Sequence, residues 1–123
     1  MKLGPLWLKI QIACGDALAL GPGKADLLAA IIAEGSISGA ARALGMSYRR
    51  AWLLVDEMNR CFDPLLVETL KGGGRERGAK VTATGLAVLA AYREMEREVA
   101  AIADRPAYAR LRGYLRAEPL RPD

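Results

Sequence analysis

The side chains best suited to a defined chemistry form one short run, Ser47-Tyr48-Arg49-Arg50. An arginine guanidinium can donate two parallel hydrogen bonds to a guanine base in the major groove of DNA. Serine and tyrosine hydroxyls suit the oxygens of backbone phosphates. Two adjacent arginines are more often plain solvated charge, however. The run indicates DNA binding only if the surrounding elements place it at the start of a helix that can enter a groove.

Other kinds of site are excluded by composition and spacing. The chain of 123 residues has no histidine, which removes His-based triads, His general bases and His-ligated metals. Cys14 and Cys61 form no CxxC pair, and we expect both to be reduced, small core residues. The segment 21–25 lacks the first glycine and the Ser or Thr of a P-loop. We therefore predict a protein that is not an enzyme and has no metal or cofactor.

Length and charge indicate one basic domain. The formal net charge is +4, and the isoelectric point near 9.3 favours a polyanionic partner. Polar residues and Gly4-Pro5 interrupt the apolar residues near the start, so no secretion signal is predicted. The longest weakly polar run, 85–92, is too short to cross a bilayer. We expect a cytoplasmic protein with no membrane partner.

The positive charge is concentrated in two segments. Residues 36–84 carry eight basic and five acidic side chains, and residues 105–123 carry five arginines against two acids. Residues 1–35 are neutral, and residues 85–104 are acidic overall. The middle segment and the C-terminal segment are therefore the candidates for contact with phosphate.

The pattern around the arginine run is that of a helix-turn-helix. A short strand is predicted from Trp7 to Ala13, and a helix runs from Pro22 to its stop at Gly35. Ser38 is expected to cap a short helix over 39–44, which Gly45 ends, and Ser47 to cap a helix through about 60.

Two short β-type runs, 65–70 and 79–82, follow and are joined by a basic, glycine-rich loop. They predict a hairpin directly after the helix-turn-helix, which is the order of a winged helix. The basic side chains of this wing are Lys71, Arg75, Arg77 and Lys80. A basic wing can lie against the DNA backbone or the minor groove.

The last long helix is predicted over 84–104 with Thr84 as its cap. Its apolar residues follow a heptad-like spacing, which either forms a dimer interface or covers the domain's own core. The predicted dimerisation residues are Val88, Tyr92, Met95, Val99 and Ile102. Prolines at 106, 119 and 122 indicate a loosely ordered tail over 105–123.

The faces of the helix beginning after Ser47 can also be assigned. If Ala51, Val55 and Met58 face the core, helical geometry puts Arg49, Leu53, Asp56 and Arg60 on the opposite side. Trp52 lies at the flank, where we expect it to pack rather than to contact a base. Leu53 fits neither a buried nor a plain exposed position, although contact with a thymine methyl group would suit it.

Several of these runs resemble the N-terminal DNA-binding domain of the ModE family of molybdate-responsive bacterial regulators. The matching runs are Gly35-Ser36-Ile37-Ser38-Gly39-Ala40-Ala41, Leu44-Gly45-Met46-Ser47-Tyr48-Arg49-Arg50-Ala51-Trp52, Glu57-Met58-Asn59, Leu66-Val67-Glu68, Gly72-Gly73-Gly74 and Lys80-Val81-Thr82-Ala83-Thr84-Gly85. The resemblance covers roughly residues 7–104, and its first run also resembles LysR-type regulators. It implies a winged-helix dimer on a palindromic operator. The molybdate-binding region that follows in full-length ModE proteins is absent from this sequence, so no oxyanion site is predicted.

The sequence thus predicts a mainly α fold with a small β-hairpin (α+β), a winged helix-turn-helix over residues 1–104 and a tail over 105–123. The expected partners are double-stranded DNA and a second copy of the chain, with no effector identified. The predicted DNA-contacting residues are Ser36, Ser38, Ser47, Tyr48, Arg49, Arg50, Lys71, Arg75, Arg77 and Lys80. A protein-interaction module and a small molybdate-binding protein remain as alternatives.

Overall fold

A computed structural model describes residues 2–3, 6–70 and 78–122, with side chains described from residue 8 onward. The strands are β1 (Lys2–Leu3), β2 (Leu6–Trp7), β3 (Ile12–Cys14), β4 (Ala17–Leu20), β5 (Val67–Thr69) and β6 (Ala79–Val81). The α-helices are α1 (Pro22–Glu34), α2 (Ile37–Leu44), α3 (Tyr48–Cys61), α4 (Ala83–Ala100) and α5 (Pro106–Tyr114), with a 3-10 turn at Ala101–Asp104 between the last two. In the described part of the chain the strands form three antiparallel pairs, β1–β2, β3–β4 and β5–β6.

The N-terminal segment differs from the single strand predicted over 7–13. It forms two small hairpins instead, and β3 pairs with β4 so that Cys14 lies opposite Ala17. Gly15 has a φ of +59°, a conformation that glycine adopts without a Cβ clash, and it reverses the chain immediately after β3. The β4 sequence Ala-Leu-Ala-Leu has no strong strand propensity, so its pairing depends on the turn and on packing.

The helix-turn-helix forms where the sequence predicts it. Gly35 and Gly45 end α1 and α2 in the left-handed region, with φ of 75° and 69°. Ser47 caps α3 as predicted, its Oγ accepting a hydrogen bond from the Arg50 amide at 3.1 Å. These local signals set the spacing between α2 and α3.

Two predicted caps are wrong by two residues. Ser36, and not Ser38, caps α2, since its Oγ accepts from the Gly39 amide at 2.9 Å. Thr82, and not Thr84, caps α4, since its Oγ1 accepts from the Gly85 amide at 3.0 Å. In both cases the earlier residue has the extended backbone that an N-cap requires.

The core lies between the three helices of the first half and the β5–β6 hairpin. Small residues of α2 and α3 allow the backbones to approach closely while larger side chains fill the space around them. The core side chains include Leu27, Leu28, Ile31, Ala40, Ala41, Ala51, Val55, Met58, Leu66, Val67 and Tyr92. The stripe Ala51, Val55 and Met58 is buried as predicted.

One side chain of α3 holds the β5–β6 hairpin in place. Asn59 Nδ2 donates to the Val67 carbonyl at 2.9 Å, and its Oδ1 accepts from the amides of Leu66 and Val67 at 3.0 and 3.1 Å. On the other strand, the Ala79 amide donates to the Gly35 carbonyl at 2.9 Å. The hairpin is thereby fixed to α3 and to the turn between α1 and α2.

The C-terminal segment is more ordered than the loose tail predicted over 105–123. Pro106 occupies the first turn of α5, where a missing amide hydrogen costs nothing, so it begins a helix instead of preventing one. Tyr108 of that helix is buried. Residues 115–122 contain no helix or strand.

The prediction of a mainly α winged helix-turn-helix is confirmed. The first three helices form a compact core, the α2–turn–α3 unit lies within it, and the β5–β6 hairpin and α4 follow in the expected order. Among the described residues, no helix is both long and apolar enough to cross a bilayer.

Candidate nucleic-acid interface

The first turn of α3 presents two cationic side chains to solvent. Arg49 and Arg50 are exposed, Ser47 is exposed at the cap, and Tyr48 is half-buried against the core. Neither arginine forms an ion pair within the described ranges 8–70 and 78–122. Their charge is therefore available to an external anion.

Further along α3 the charge is compensated internally. Arg60 donates to Asp56 at 3.0 Å, one turn apart on the outward side. Leu53 is exposed on the same side, as the helical spacing predicts. The positive potential of this helix is thus concentrated at its N-terminal end, where the helix dipole adds to it.

Trp52 lies outside the core, at the flank of α3 where the sequence places it. It is 44% exposed and lines a shallow surface cavity of about 280 Å³ together with Tyr48 and Arg49. The reason is geometric: Trp52 follows Ala51 by about 100° around the helix, and the buried stripe is occupied by Ala51, Val55 and Met58. An aromatic face therefore lies beside the exposed arginine at the start of α3.

The two serines at the start of α2 are less exposed than the arginines of α3. Ser36 is half-buried, and its hydroxyl is engaged in capping α2. Ser38 is 6% exposed, and its Oγ has no hydrogen-bond partner in the described structure. Because Ser38 faces the core, it does not belong to the exposed surface around Arg49.

The wing is described only in part. Lys80 is exposed on β6 and lies opposite Glu68 of β5. Lys71, Arg75 and Arg77, which the sequence assigns to the wing, lie outside the described residues. Lys80 is therefore the wing cation whose place in the hairpin is established.

The predicted dimer seam divides into a buried and an exposed part. Tyr92 is 1% exposed and its hydroxyl donates to the Ile10 carbonyl at 2.8 Å, so it belongs to the core of its own domain. Val88 packs against the same core. Met95 and Ile102 are 39% and 41% exposed, and Val99 is half-buried. Heptad spacing alone does not distinguish a side chain that packs in the core of its own domain from one that stays exposed on the outer side of the helix.

A buried lysine links α3 to the N-terminal elements, and sequence reasoning missed it. Lys24 is 4% exposed, and its Nζ donates to the Glu57 carboxylate of α3 and to the Leu18 carbonyl of β4. The hydrogen bond from Lys24, together with its charge, lowers the pKa of Glu57 below its ordinary value. This contact orients α3, and no local pattern in the sequence indicates it.

Replacement of Glu57 by glutamine is expected to destabilise the protein at neutral pH and less so in acid. Because the pKa of Glu57 is lower in the folded state than in the unfolded chain, its contribution is present above the unfolded-state pKa and is lost as pH falls through the folded-state pKa. Urea unfolding of both proteins between neutral pH and about pH 3 measures this difference. Glu98→Gln, at an exposed site of α4, is the control. A difference that stayed constant over the whole range would contradict the assignment.

No family model matches the chain. Among curated proteins, it is 37% identical over 96 residues to the molybdenum-pterin-binding protein MopA of Rhodobacter capsulatus, covering 78% of this chain and 36% of MopA. It is 37% identical over 87 residues to the DNA-binding transcriptional dual regulator ModE of Escherichia coli strain K12, covering 71% of this chain and 32% of that protein. The chain is a homologue of the ModE proteins. It spans about a third of the length of these relatives.

Among solved structures, the ModE homologue is similar to the full-length LysR-type regulator LysG of Corynebacterium glutamicum, determined with bound effector arginine. The TM-score is 0.48 at 30% sequence identity, covering 82% of this chain and 31% of LysG. The names of the two curated relatives describe a regulator and a molybdenum-pterin-binding protein, and neither describes an enzyme. This agrees with the prediction that the ModE homologue is not an enzyme.

Proposed function

We propose that this ModE homologue is a transcription regulator that reads DNA through the first turn of α3. The observation that carries the proposal is the pair Arg49 and Arg50, exposed at the N-terminus of the second helix of a helix-turn-helix and without an ion pair in the described residues. The N-terminal residues of such a helix are the ones that reach base edges in the major groove. The name of the Escherichia coli relative also describes DNA-binding regulation.

The contacts divide by chemistry. Arg49 and Arg50 have the bidentate geometry that recognises guanine, whereas Ser47 and Tyr48 suit phosphate oxygens. Trp52, exposed beside Arg49, adds an apolar face to the same surface. Lys80 and the other basic residues of the wing supply contacts with the DNA backbone.

A dimer of two identical chains is expected because the surface of one chain that contacts DNA is small. One helix of this kind reads only a half-site, and useful specificity requires two copies on a palindrome. The outer part of the predicted seam offers apolar side chains to a second copy: Met95 is exposed and Val99 half-buried on α4, and Ile102 is exposed on the 3-10 turn that follows. We propose that the regulator acts as a homodimer through these side chains.

The names of the relatives supply the proposed pathway. MopA is named for molybdenum-pterin binding, and a third curated relative, from Azotobacter vinelandii, is named molybdenum transport protein ModE. We therefore propose that the regulated genes belong to molybdenum handling. This part of the proposal rests on the relatives alone, since MopA and ModE each extend well beyond the matched region.

Selection of bound duplexes from a random pool, at near-physiological salt, tests the proposed function. We expect an enriched palindrome with half-sites about one helical turn apart, roughly 10 base pairs. Matches of that palindrome upstream of molybdenum genes would support the pathway. Bound DNA without an enriched motif would contradict sequence-specific regulation and favour a protein-interaction module.

Replacing Val99 by aspartate is expected to split the dimer, because a carboxylate in a desolvated apolar interface has no partner. Light scattering should report the monomer mass for Val99→Asp and the dimer mass for the unchanged protein. Ala90→Asp makes the same chemical change at an exposed site on the other side of α4 and should leave the mass unchanged. An unaltered mass for Val99→Asp would place the interface elsewhere.

A further inference from the structure

Two cysteines that are distant in sequence meet at the C-terminal end of α3. Cys14 ends β3 and is exposed, and Cys61 ends α3 and is half-buried. The Cys14 side chain lies close enough to the Cys61 thiol to raise its pKa. The prediction that both cysteines are core residues is wrong, because Cys14 is exposed and Cys61 is only half-buried.

The packing of three elements explains why these thiols are neighbours. Lys24 of α1 joins the Leu18 carbonyl of β4 to Glu57 of α3. Cys61 follows Glu57 by four residues and so lies one turn further on the same side of α3. In the β3–β4 pairing, Ala13 lies opposite Leu18 and Cys14 opposite Ala17. The contact that seats β4 on α3 thus brings Cys14 alongside Cys61.

The two thiols differ in their environment. Burial, together with the neighbouring Cys14 thiol, raises the pKa of Cys61, so Cys61 stays protonated at neutral pH. Cys14 is the exposed member and is the first that an oxidant in solution can reach. A pair with one accessible and one adjacent, shielded thiol has the arrangement of an attacking and a resolving cysteine.

We propose that Cys14 and Cys61 are a thiol–disulfide exchange site, which closes into an intramolecular disulfide on reaction with a low-molecular-weight disulfide such as oxidised glutathione. The Cys14 thiolate attacks the oxidised glutathione, forming a mixed disulfide and releasing one reduced glutathione. Cys61 then loses its proton to solvent, and its sulfur attacks the Cys14 sulfur and releases the second reduced glutathione. Overall the two cysteines lose two electrons and two protons, and one glutathione disulfide becomes two thiols.

The cross-link would attach the β3–β4 hairpin to the last residue of α3. The turn that contains Arg49 and Arg50 lies at the other end of this helix, so oxidation leaves its side chains chemically unchanged. The site is therefore independent of the proposed DNA contacts, and it can be tested without DNA.

The test is incubation of the folded protein with oxidised glutathione, followed by acid quenching, thiol counting and intact mass measurement. We expect the unchanged protein to lose both free thiols and two hydrogens in mass, without keeping a glutathione. Cys14→Ser and Cys61→Ser each lack the partner thiol and are expected to keep one glutathione as a mixed disulfide. In urea the fold no longer holds the two thiols together, so formation of the intramolecular disulfide should be at least roughly tenfold less favoured.

Three results would overturn the proposal. In the first, the folded, unchanged protein keeps one or two glutathiones as mixed disulfides. In the second, it forms disulfides between two molecules of the protein. In the third, the intramolecular disulfide forms equally favourably in urea, which would mean that the fold does not position the two cysteines. Because the main measurement uses the unchanged protein, it does not depend on whether either serine variant folds.

Discussion

Alanine at Arg49 or Arg50 is expected to cost about 1–3 kcal/mol of binding free energy on the selected operator, roughly 5- to 150-fold in Kd, if the side chain makes a bidentate base contact. Both side chains are exposed at the start of α3 and have no competing ion pair in the described structure, so an alanine variant loses an external contact and little internal stability. The loss should be largest for the operator and smaller for substituted sites, because a lost base contact relaxes specificity at that position. Fluorescence anisotropy on matched duplexes measures both quantities.

Two matched variants separate base contacts from general electrostatics. Arg97→Ala removes the same charge from an exposed site on α4 and should leave operator binding within about twofold of its original value. Lys80→Ala on the wing should weaken all sequences alike and reduce the slope of log K against log salt by about 1. If the arginine variants instead lost equal affinity on every sequence, as Lys80→Ala should, α3 would be a backbone contact and not the reading helix.

Alanine at Asn59 is expected to destabilise the fold by about 3 kcal/mol, since unsatisfied buried polar groups cost about 1–3 kcal/mol each. The substitution removes the donor to the Val67 carbonyl and the acceptor of the Leu66 and Val67 amides. Leu66 and Val67 are both buried, so these groups have little access to water. Urea unfolding followed by circular dichroism should show a lower midpoint with a similar slope.

The chemistry of Asn59 predicts an order among its variants. Asn59→Asp keeps an acceptor for the two amides but places a carboxylate oxygen against the Val67 carbonyl. We therefore expect this variant to be less stable than the unchanged protein and more stable than Asn59→Ala. Arg60→Ala, next along α3 but exposed, should change stability by no more than about 0.5 kcal/mol. An Asn59→Ala variant as stable as the unchanged protein would mean that the hairpin is held by apolar packing alone.

The helix-turn-helix could be predicted from sequence because its signals are local. The left-handed glycines Gly35 and Gly45 and the cap Ser47 each act within one turn of chain, and the apolar stripe of α3 follows directly from helical periodicity. The exposed arginines of α3 could be placed for the same reason, once the buried stripe was known.

The misplaced caps show where local information ends. Ser36 and Ser38, like Thr82 and Thr84, offer two capping residues in the same turn, and sequence alone does not choose between them. The choice follows from long-range hydrogen bonds: the Ala79 amide reaches the Gly35 carbonyl, and the Thr82 amide reaches the Leu66 carbonyl. These bonds hold the chain extended at the earlier residue, which therefore begins the helix.

The amino-acid order alone predicted the class of fold, the helix proposed to read DNA and the end of that helix that carries the charge, because periodicity and capping depend on residues a few positions apart. The burial of Tyr92 in its own core, the Lys24–Glu57 contact and the meeting of Cys14 with Cys61 depended on the folded chain. Each of these contacts joins elements that are distant in sequence. An apolar stripe, a lysine or a cysteine has the same local sequence pattern whether its side chain contacts solvent, a second copy of the chain or its own domain. Only three-dimensional packing selects among those partners.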